Sequence, residues 1–341
     1  MKVLHAGIFK DHELGGDIIF EKGLKQNGCD VERFDYRSVA LEYGTKYMLQ
    51  QLVEKIDNKD ILFIGKGEQF NPQTLRTVRN HGVEVVLWYG DMLPEPAPWL
   101  INLLPEVDFF FMSSGGDALR EYFVKGSPRM AAYYFNPSDP ELSDKYSSIP
   151  RCTRDVVFTG TSHGLVGTER LQTVNYLKTR TDVTFFGGAE RTTDNSRNRI
   201  IRFLGRYFKS KSDWVRGQEY IAAIKSASIG VGVNAFQNIP RYTSDRLSHY
   251  LTFGTFYLPW RFPGIEELFE VGKEIVSFTG IEDLDSKLTY YLNEQGEREA
   301  IAAAGQQKML HQYNCKNIVG MMLDIVKTGT SDRFSWVEIL S

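Results

Sequence analysis

Three cysteines, Cys29, Cys152 and Cys315, are all that this 341-residue chain contains. They are odd in number, far apart and form no CxxC pair. Neither a disulfide framework nor a zinc knuckle is expected, and free thiols fit a reducing, cytoplasmic compartment. Long apolar runs are also missing. The opening apolar stretch from Met1 to Phe9 soon meets Lys10, Asp11 and Glu13. It is too short for the apolar region of a signal peptide. No other stretch approaches the roughly 20 residues that span a bilayer. Membrane contact is expected to be peripheral at most, at the inner face. Charge of one sign is lacking as well. The 40 Lys and Arg nearly balance 43 Asp and Glu, for a net charge of −3. That offers no bulk basic field to nucleic acid. No GxGxxG, P-loop, HExxH or GxSxG string occurs either, so the commonest dinucleotide, triphosphate, zinc-protease and serine-hydrolase signatures are absent.

What remains is a chain of soluble, globular balance, 42% hydrophobic and 24% charged, long enough for two domains. Short apolar runs alternate with helical patterns. Strands are expected at Val3–Phe9, Val31–Tyr36, Ile61–Ile64, Val83–Tyr89, Phe109–Met112 and Met130–Phe135, with helices between them. The segment from Asn136 to Pro150 holds three prolines and few apolar residues, as a linker does. A second series follows, with strands at Val156–Thr159, Val183–Phe186, Ile229–Val233, Thr255–Pro259 and Ile275–Phe278. Strands bracketed by helices imply parallel sheets covered on both faces, with ligands at the carboxyl ends of the strands. The expected division is a first domain at 1–136, a linker at 137–150, a second domain at 151–315 and a helix and tail at 316–341 that cross back. Residues 191–217, polar and basic, read as a mobile loop.

Five constellations fall at strand ends. Gly15-Gly16-Asp17 opens the first helix, where glycines let backbone approach a ligand and free amides favour an anion. Asp91, just past the Val83–Tyr89 strand, is placed to act on an acceptor hydroxyl, and Asp17 is a second candidate. Gly160-Thr161-Ser162-His163, with Arg170 in the next helix, offers amides, hydroxyls and a guanidinium to a diphosphate. Arg241-Tyr242-Thr243-Ser244-Asp245-Arg246, with His249 one turn on, starts a capped helix whose amides and Arg246 can hold a diphosphate together. Gly264 turns the chain into Glu266 and Glu267, which support their helix dipole or accept from sugar and ribose hydroxyls. The plain alternatives are a strand-to-helix turn, a turn aspartate and a capped helix with surface charges. Asp283-Leu284-Asp285 spells DxD, but it opens an amphipathic helix and reads as a solvated face rather than a metal site.

Residues 156–160, 218–236 and 241–313 resemble the CgeB/YkvP-like branch of the group 1 glycosyltransferases. The resemblance rests on Asp155–Gly160, Glu219–Ala227, Ser244-Asp245-Arg246, Gly254-Thr255-Phe256 and, most specifically, Arg261–Val276. It covers the second half well and the first half by architecture only. It implies the GT-B fold: two Rossmann-like domains whose parallel sheets face a central cleft, a nucleotide-sugar donor held by the second, and an acceptor on the first. In this numbering, Arg241 and His249 stand where related enzymes often carry two glutamates that touch donor sugar and ribose. A cationic Arg241 suits an acidic donor or is simply solvated. The expected activity is sugar transfer from a nucleotide sugar to a glycan or glycoconjugate hydroxyl, with no cofactor and no metal. The alternatives are a sugar-nucleotide epimerase or hydrolase of the same fold, and a non-catalytic binding protein of a spore or outer layer.

Overall fold

A computed structural model describes residues 1–9, 12–160, 168–187 and 215–341 of the protein. In chain order the first half runs β1 (Lys2–Gly7), α1 (Gly16–Gln26), β2 (Asp30–Asp35), α2 (Tyr36–Tyr43), α3 (Thr45–Glu54), β3 (Ile61–Gly65), α4 (Pro72–Asn80) and β4 (Glu84–Tyr89). It continues with α5 (Pro98–Leu103), β5 (Phe109–Met112), α6 (Asp117–Gly126), β6 (Met130–Tyr133) and α7 (Pro140–Lys145). The second half is β7 (Arg154–Thr159), α8 (Thr168–Thr179), β8 (Val183–Phe186), α9 (Gly217–Ser226), β9 (Ala227–Gly232), α10 (Asp245–Thr252) and β10 (Phe256–Pro259). After them come α11 (Ile265–Leu268), α12 (Ile281–Asn293), α13 (Gln295–His311), α14 (Cys315–Thr328) and β11 (Ile339–Leu340).

Two sheets result. The first has the order β11-β6-β5-β4-β3-β1-β2 and the second β10-β9-β7-β8. Every pairing is parallel except β11 on β6. Parallel strands buried on both faces need continuous apolar runs. Accordingly Ile61–Gly65 and Phe109–Met112 are buried at every residue. Val156, Phe158, Ile229, Val231, Phe256 and Leu258 form a separate core for the second sheet. These are the two Rossmann-like layers of the GT-B architecture. In each sheet the chain winds outward in both directions from its first strand. The points of reversal are β1/β3 in one sheet and β7/β9 in the other, and such crevices are where open α/β sheets bind ligands.

The two halves are tied at their base. Ser138 N donates to Tyr313 O (2.9 Å), and Cys315 N donates to Ser138 O (2.8 Å). From there α14 packs on α1, and β11 adds the last strand of the first sheet.

Local differences from the sequence reading have local causes. Ile275–Phe278 makes only isolated bridges, Val271 to Ile275 and Trp260 to Phe278, and is not a strand. The proline-rich connection contains a helix, α7, because Pro140 sits at its first turn and the Asp139 carboxylate caps the Glu141 amide (3.1 Å). Thr161, Ser162 and His163 lie outside the described residues, as do residues 191–214 of the expected loop.

Candidate active site

The first sheet supplies one wall of a cleft at its β1/β3 crevice. Gly15 caps α1, Gly16 begins it, and Asp17 follows, 4% exposed. Asp17 is not a free carboxylate. Its Oδ1 accepts from Trp88 Nε1 (3.1 Å) and lies 3.1 Å from His5 Nε2, while its Oδ2 accepts from Ile8 N (2.7 Å). With both oxygens engaged, Asp17 holds β1, α1 and β4 together at the cleft floor. Asp91 is different. It projects from the end of β4, is about half exposed, and meets Lys66 Nζ at 2.6 Å. Both line the cavity. Lys66 follows β3 in the left-handed backbone region (φ 65°).

The second sheet supplies a cationic cradle at its β7/β9 crevice. Arg246, in the first turn of α10, donates from Nη1 to Thr159 O (2.8 Å) and from Nη2 to Val233 O (2.9 Å). One guanidinium therefore spans the carboxyl ends of the two strands between which the winding reverses. Gly160 lies directly beneath it, with φ 150°. A Cβ there would come within 2.6 Å of Arg246 Nη1 and 3.0 Å of Arg170 Nη2. Arg170 is buried, and burial together with the neighbouring Arg246 charge lowers its pKa to about 10. It still carries its proton at neutral pH. Two close guanidiniums at strand ends and a helix start favour an anion between them.

The approach to α10 completes this wall. Asn234 Oδ1 accepts from Ser244 N (3.3 Å), and Arg246 Nε reaches Ser244 Oγ at 3.4 Å. Thr243 is buried, its hydroxyl without a hydrogen-bond partner among the described residues. Burial raises the Tyr242 phenol to about 12, and the charges acting on it include Arg246, Asp245, Asp91 and Arg170.

The remaining candidates are placed elsewhere. Arg241 is not solvated. It is buried, with Nη1 donating to Trp336 O (2.9 Å) and lying 3.3 Å from Glu267, and with Nη2 paired to Glu338. Gly264 packs on its stem. Glu266 pairs with Arg261, and both α11 glutamates stay about half exposed beside their arginines. The DxD carboxylates are also engaged, Asp283 with Lys287 (2.8 Å) and Asp285 with Arg180 (2.9 Å).

His249 faces the cavity from α10, its Nδ1 3.4 Å from Tyr220 Oη. Burial, with a smaller contribution from His12, pushes its pKa down to about 3. The ring is therefore neutral at physiological pH, a hydrogen-bonding group rather than a proton carrier. An unfolded histidine titrates near 6.5, so between pH 6.5 and 3 the unfolded state binds the extra proton. The stability the neutral ring confers is full above about pH 6.5 and is lost as pH falls toward 3, by at most about 1.4 kcal/mol per unit. Going from pH 7.5 to 5, wild type should lose about 1–2 kcal/mol more than His249→Gln in urea unfolding. Parallel losses would show that His249 titrates normally.

Three contributors had weak sequence signals. Lys66 follows an ordinary buried strand, and only the β3/β4 register brings it to Asp91. Trp88 lines the cavity, although its position in a strand reads as core. Ser248 Oγ donates to Asn136 O (2.7 Å), and Asn136 Nδ2 donates to Thr243 O (3.1 Å), which pins α10 to the connection between the halves.

Residues 174–324 match a protein family described as glycosyl transferase-like. A search of curated sequences finds no match. Among solved structures, Anabaena HepE in complex with UDP-glucose is 11% identical, with a TM-score of 0.62, covering 96% of this chain and 100% of that one. A glycosyltransferase from Rickettsia africae is 11% identical with a TM-score of 0.62, covering 96% and 97%. The E. coli trehalose-6-phosphate protein bound with UDP-2-fluoro glucose is 11% identical with a TM-score of 0.60, covering 96% and 99%. At these identities the structural likeness establishes fold. Residues 174–324 are thus similar to a glycosyl transferase-like family, within a chain that folds as GT-B.

Proposed function

We propose that the protein transfers a sugar from a nucleotide-sugar donor to a hydroxyl of a carbohydrate acceptor, in the manner of the CgeB/YkvP-like branch, in the synthesis of a surface glycan or glycoconjugate. The observation that carries this reading is the pairing of two crevices. A cradle of Arg246 and Arg170 lies at the reversal point of one sheet, and Asp91 stands at the carboxyl end of β4 in the other. The arginines meet the charge that grows on the diphosphate as it leaves, the role in which fixed donors accelerate a reaction most. Asp91 takes the acceptor's proton, or orients its hydroxyl, with Lys66 holding the carboxylate in place. The glycines at 15, 16 and 160 allow backbone to approach both substrates. On this reading the arginines meet the diphosphate charge without a metal and no cofactor takes part. Free thiols at Cys29, Cys152 and Cys315 fit work in the cytoplasm. Among the described residues no helix is long and apolar enough to cross a membrane.

UDP and a panel of UDP-sugars test the donor half, since a ligand of the folded state raises its melting temperature. Radiolabelled UDP-sugar with and without glycan acceptors then separates transfer from hydrolysis. Asp91→Asn should lower kcat about 10²–10⁴-fold, the usual worth of a positioned base, while UDP binds as in wild type. An unchanged kcat removes Asp91 from the chemistry. Failure of every nucleotide to bind favours the non-catalytic binding protein, and UDP release at one rate with or without acceptor favours the hydrolase.

A further inference from the structure

The first-domain wall of the cleft has a chemistry of its own, centred on Trp88. This residue is the fifth of six in β4, where its neighbours Val85, Val86 and Leu87 are fully buried and Trp88 is not. Its exposed part opens into the cavity. The indole is also fixed from several sides. Nε1 donates to Asp17 Oδ1 at 3.1 Å. Phe20 backs it at 4.8 Å between ring centroids, and Tyr134 stands nearly perpendicular at 6.3 Å. Gly16 leaves room for its outer edge, since a Cβ there would lie 2.8 Å from the indole Cη2. An aromatic ring held this firmly and left partly open is a binding platform rather than filler.

We infer that Trp88 is the stacking platform for an uncharged pyranose acceptor. This rests on the glycosyltransferase reading above and names the acceptor class for it. Two observations set that class. The cavity holds about 160 Å³ and is open to the cleft; a closed cavity of about 150 Å³ takes benzene, so its scale is one ring rather than several. The part of its described lining that comes from the first half carries the carboxylates Asp17 and Asp91, with the Lys66 ammonium 2.6 Å from Asp91. Arg170 and Arg246 sit in the cradle across the cleft. Charge is thus divided between the walls. The diphosphate goes to the cationic side, and a phosphorylated or uronic acid acceptor is repelled from the carboxylate side.

The test uses the full chain saturated with UDP. Intrinsic tryptophan emission and saturation-transfer NMR follow titration with the methyl glycosides of glucose, galactose and mannose, and with glucose 6-phosphate, galactose 6-phosphate and mannose 6-phosphate. At least one neutral glycoside should bind saturably, its ring protons should receive saturation, and its 6-phosphate should bind at least 10-fold more weakly. Trp88→Leu should weaken that glycoside at least 10-fold while calorimetry shows UDP binding unchanged. Gly16→Ala, which keeps the indole but crowds its edge, should weaken it in the same direction. A 6-phosphate that binds more tightly than its parent overturns the inference. So does equal sugar affinity in both variants, or no glycoside binding to a protein that binds UDP. Failure to bind UDP at all overturns instead the donor reading beneath it.

Discussion

Arg246→Ala should abolish the thermal stabilisation by UDP and raise its dissociation constant at least 10- to 100-fold. A hydrogen bond to a charged group contributes about 1.5–3 kcal/mol, and about 1.4 kcal/mol is tenfold in affinity. Two of the five guanidinium N–H groups are given to Thr159 O and Val233 O, and a third makes the long contact to Ser244 Oγ. The fork is therefore held rigidly while donors remain for a ligand. The same geometry gives the variant a structural cost, because both strand-end carbonyls lose a donor. Two further variants separate that cost from the binding role. Arg246→Lys keeps the charge and loses the fork, so it should recover only part of the affinity. Gly160→Ala keeps the arginine, but its Cβ, 2.6 Å from Nη1, pushes the guanidinium aside. It should also weaken UDP, in a backbone conformation that strains any residue but glycine. Calorimetry on variants that still unfold cooperatively decides the matter. If all three bind UDP as wild type does, the diphosphate lies elsewhere.

The fold was legible in the sequence where burial is uniform. A parallel strand covered on both faces must be apolar throughout, so Ile61–Gly65, Phe109–Met112 and Ala227–Gly232 stand out against their polar flanks. The reach of Asp91 into the cleft was legible for a related reason. A carboxylate directly after a buried strand has nowhere else to go in an open α/β sheet. Features made by distant partners were not legible. Ile275–Phe278 has strand composition, yet strand composition does not supply a neighbour along its length. Asp17 reads as a free acid at a helix start, but its three partners come from β1, the loop after it and β4. Arg241 was aligned by spacing with residues that touch a donor, whereas its backbone turns left-handed at φ 54° and its partner Glu338 lies near the far end of the chain. Spacing along one segment carries no information about a contact 97 residues away.

That contact leads to the second large effect, on stability. Arg241→Ala should cost about 3 kcal/mol. Its guanidinium joins Glu338, Glu267 and Trp336 O, and stands 4.8 Å over the Tyr133 ring. Tyr133 Oη in turn donates to Arg241 O (3.1 Å), and Glu338 also accepts from Gly116 N (3.0 Å). One residue of the second half thereby fastens the C-terminal strand and the edge of the first sheet. Removing one partner of a buried ion pair typically costs about 3–5 kcal/mol, because the other charge is stranded. Here Glu267 remains about half exposed and keeps its water, while Glu338, about a fifth exposed, does not, which places the cost near the lower end. Glu338→Ala should cost less, about 1–2 kcal/mol, since Arg241 retains Glu267 and Trp336 O. In a double-mutant cycle read by urea unfolding, the pair should couple by more than about 1 kcal/mol, as contacting charges do. The segment after Arg241 leads straight into Thr243, Ser244 and α10, which Asn136 and Ser248 hold independently. UDP affinity should therefore fall less than 10-fold in Arg241→Ala even as the protein loses stability. A variant that is as stable as wild type but blind to UDP would return Arg241 to the donor site and dissolve the clasp.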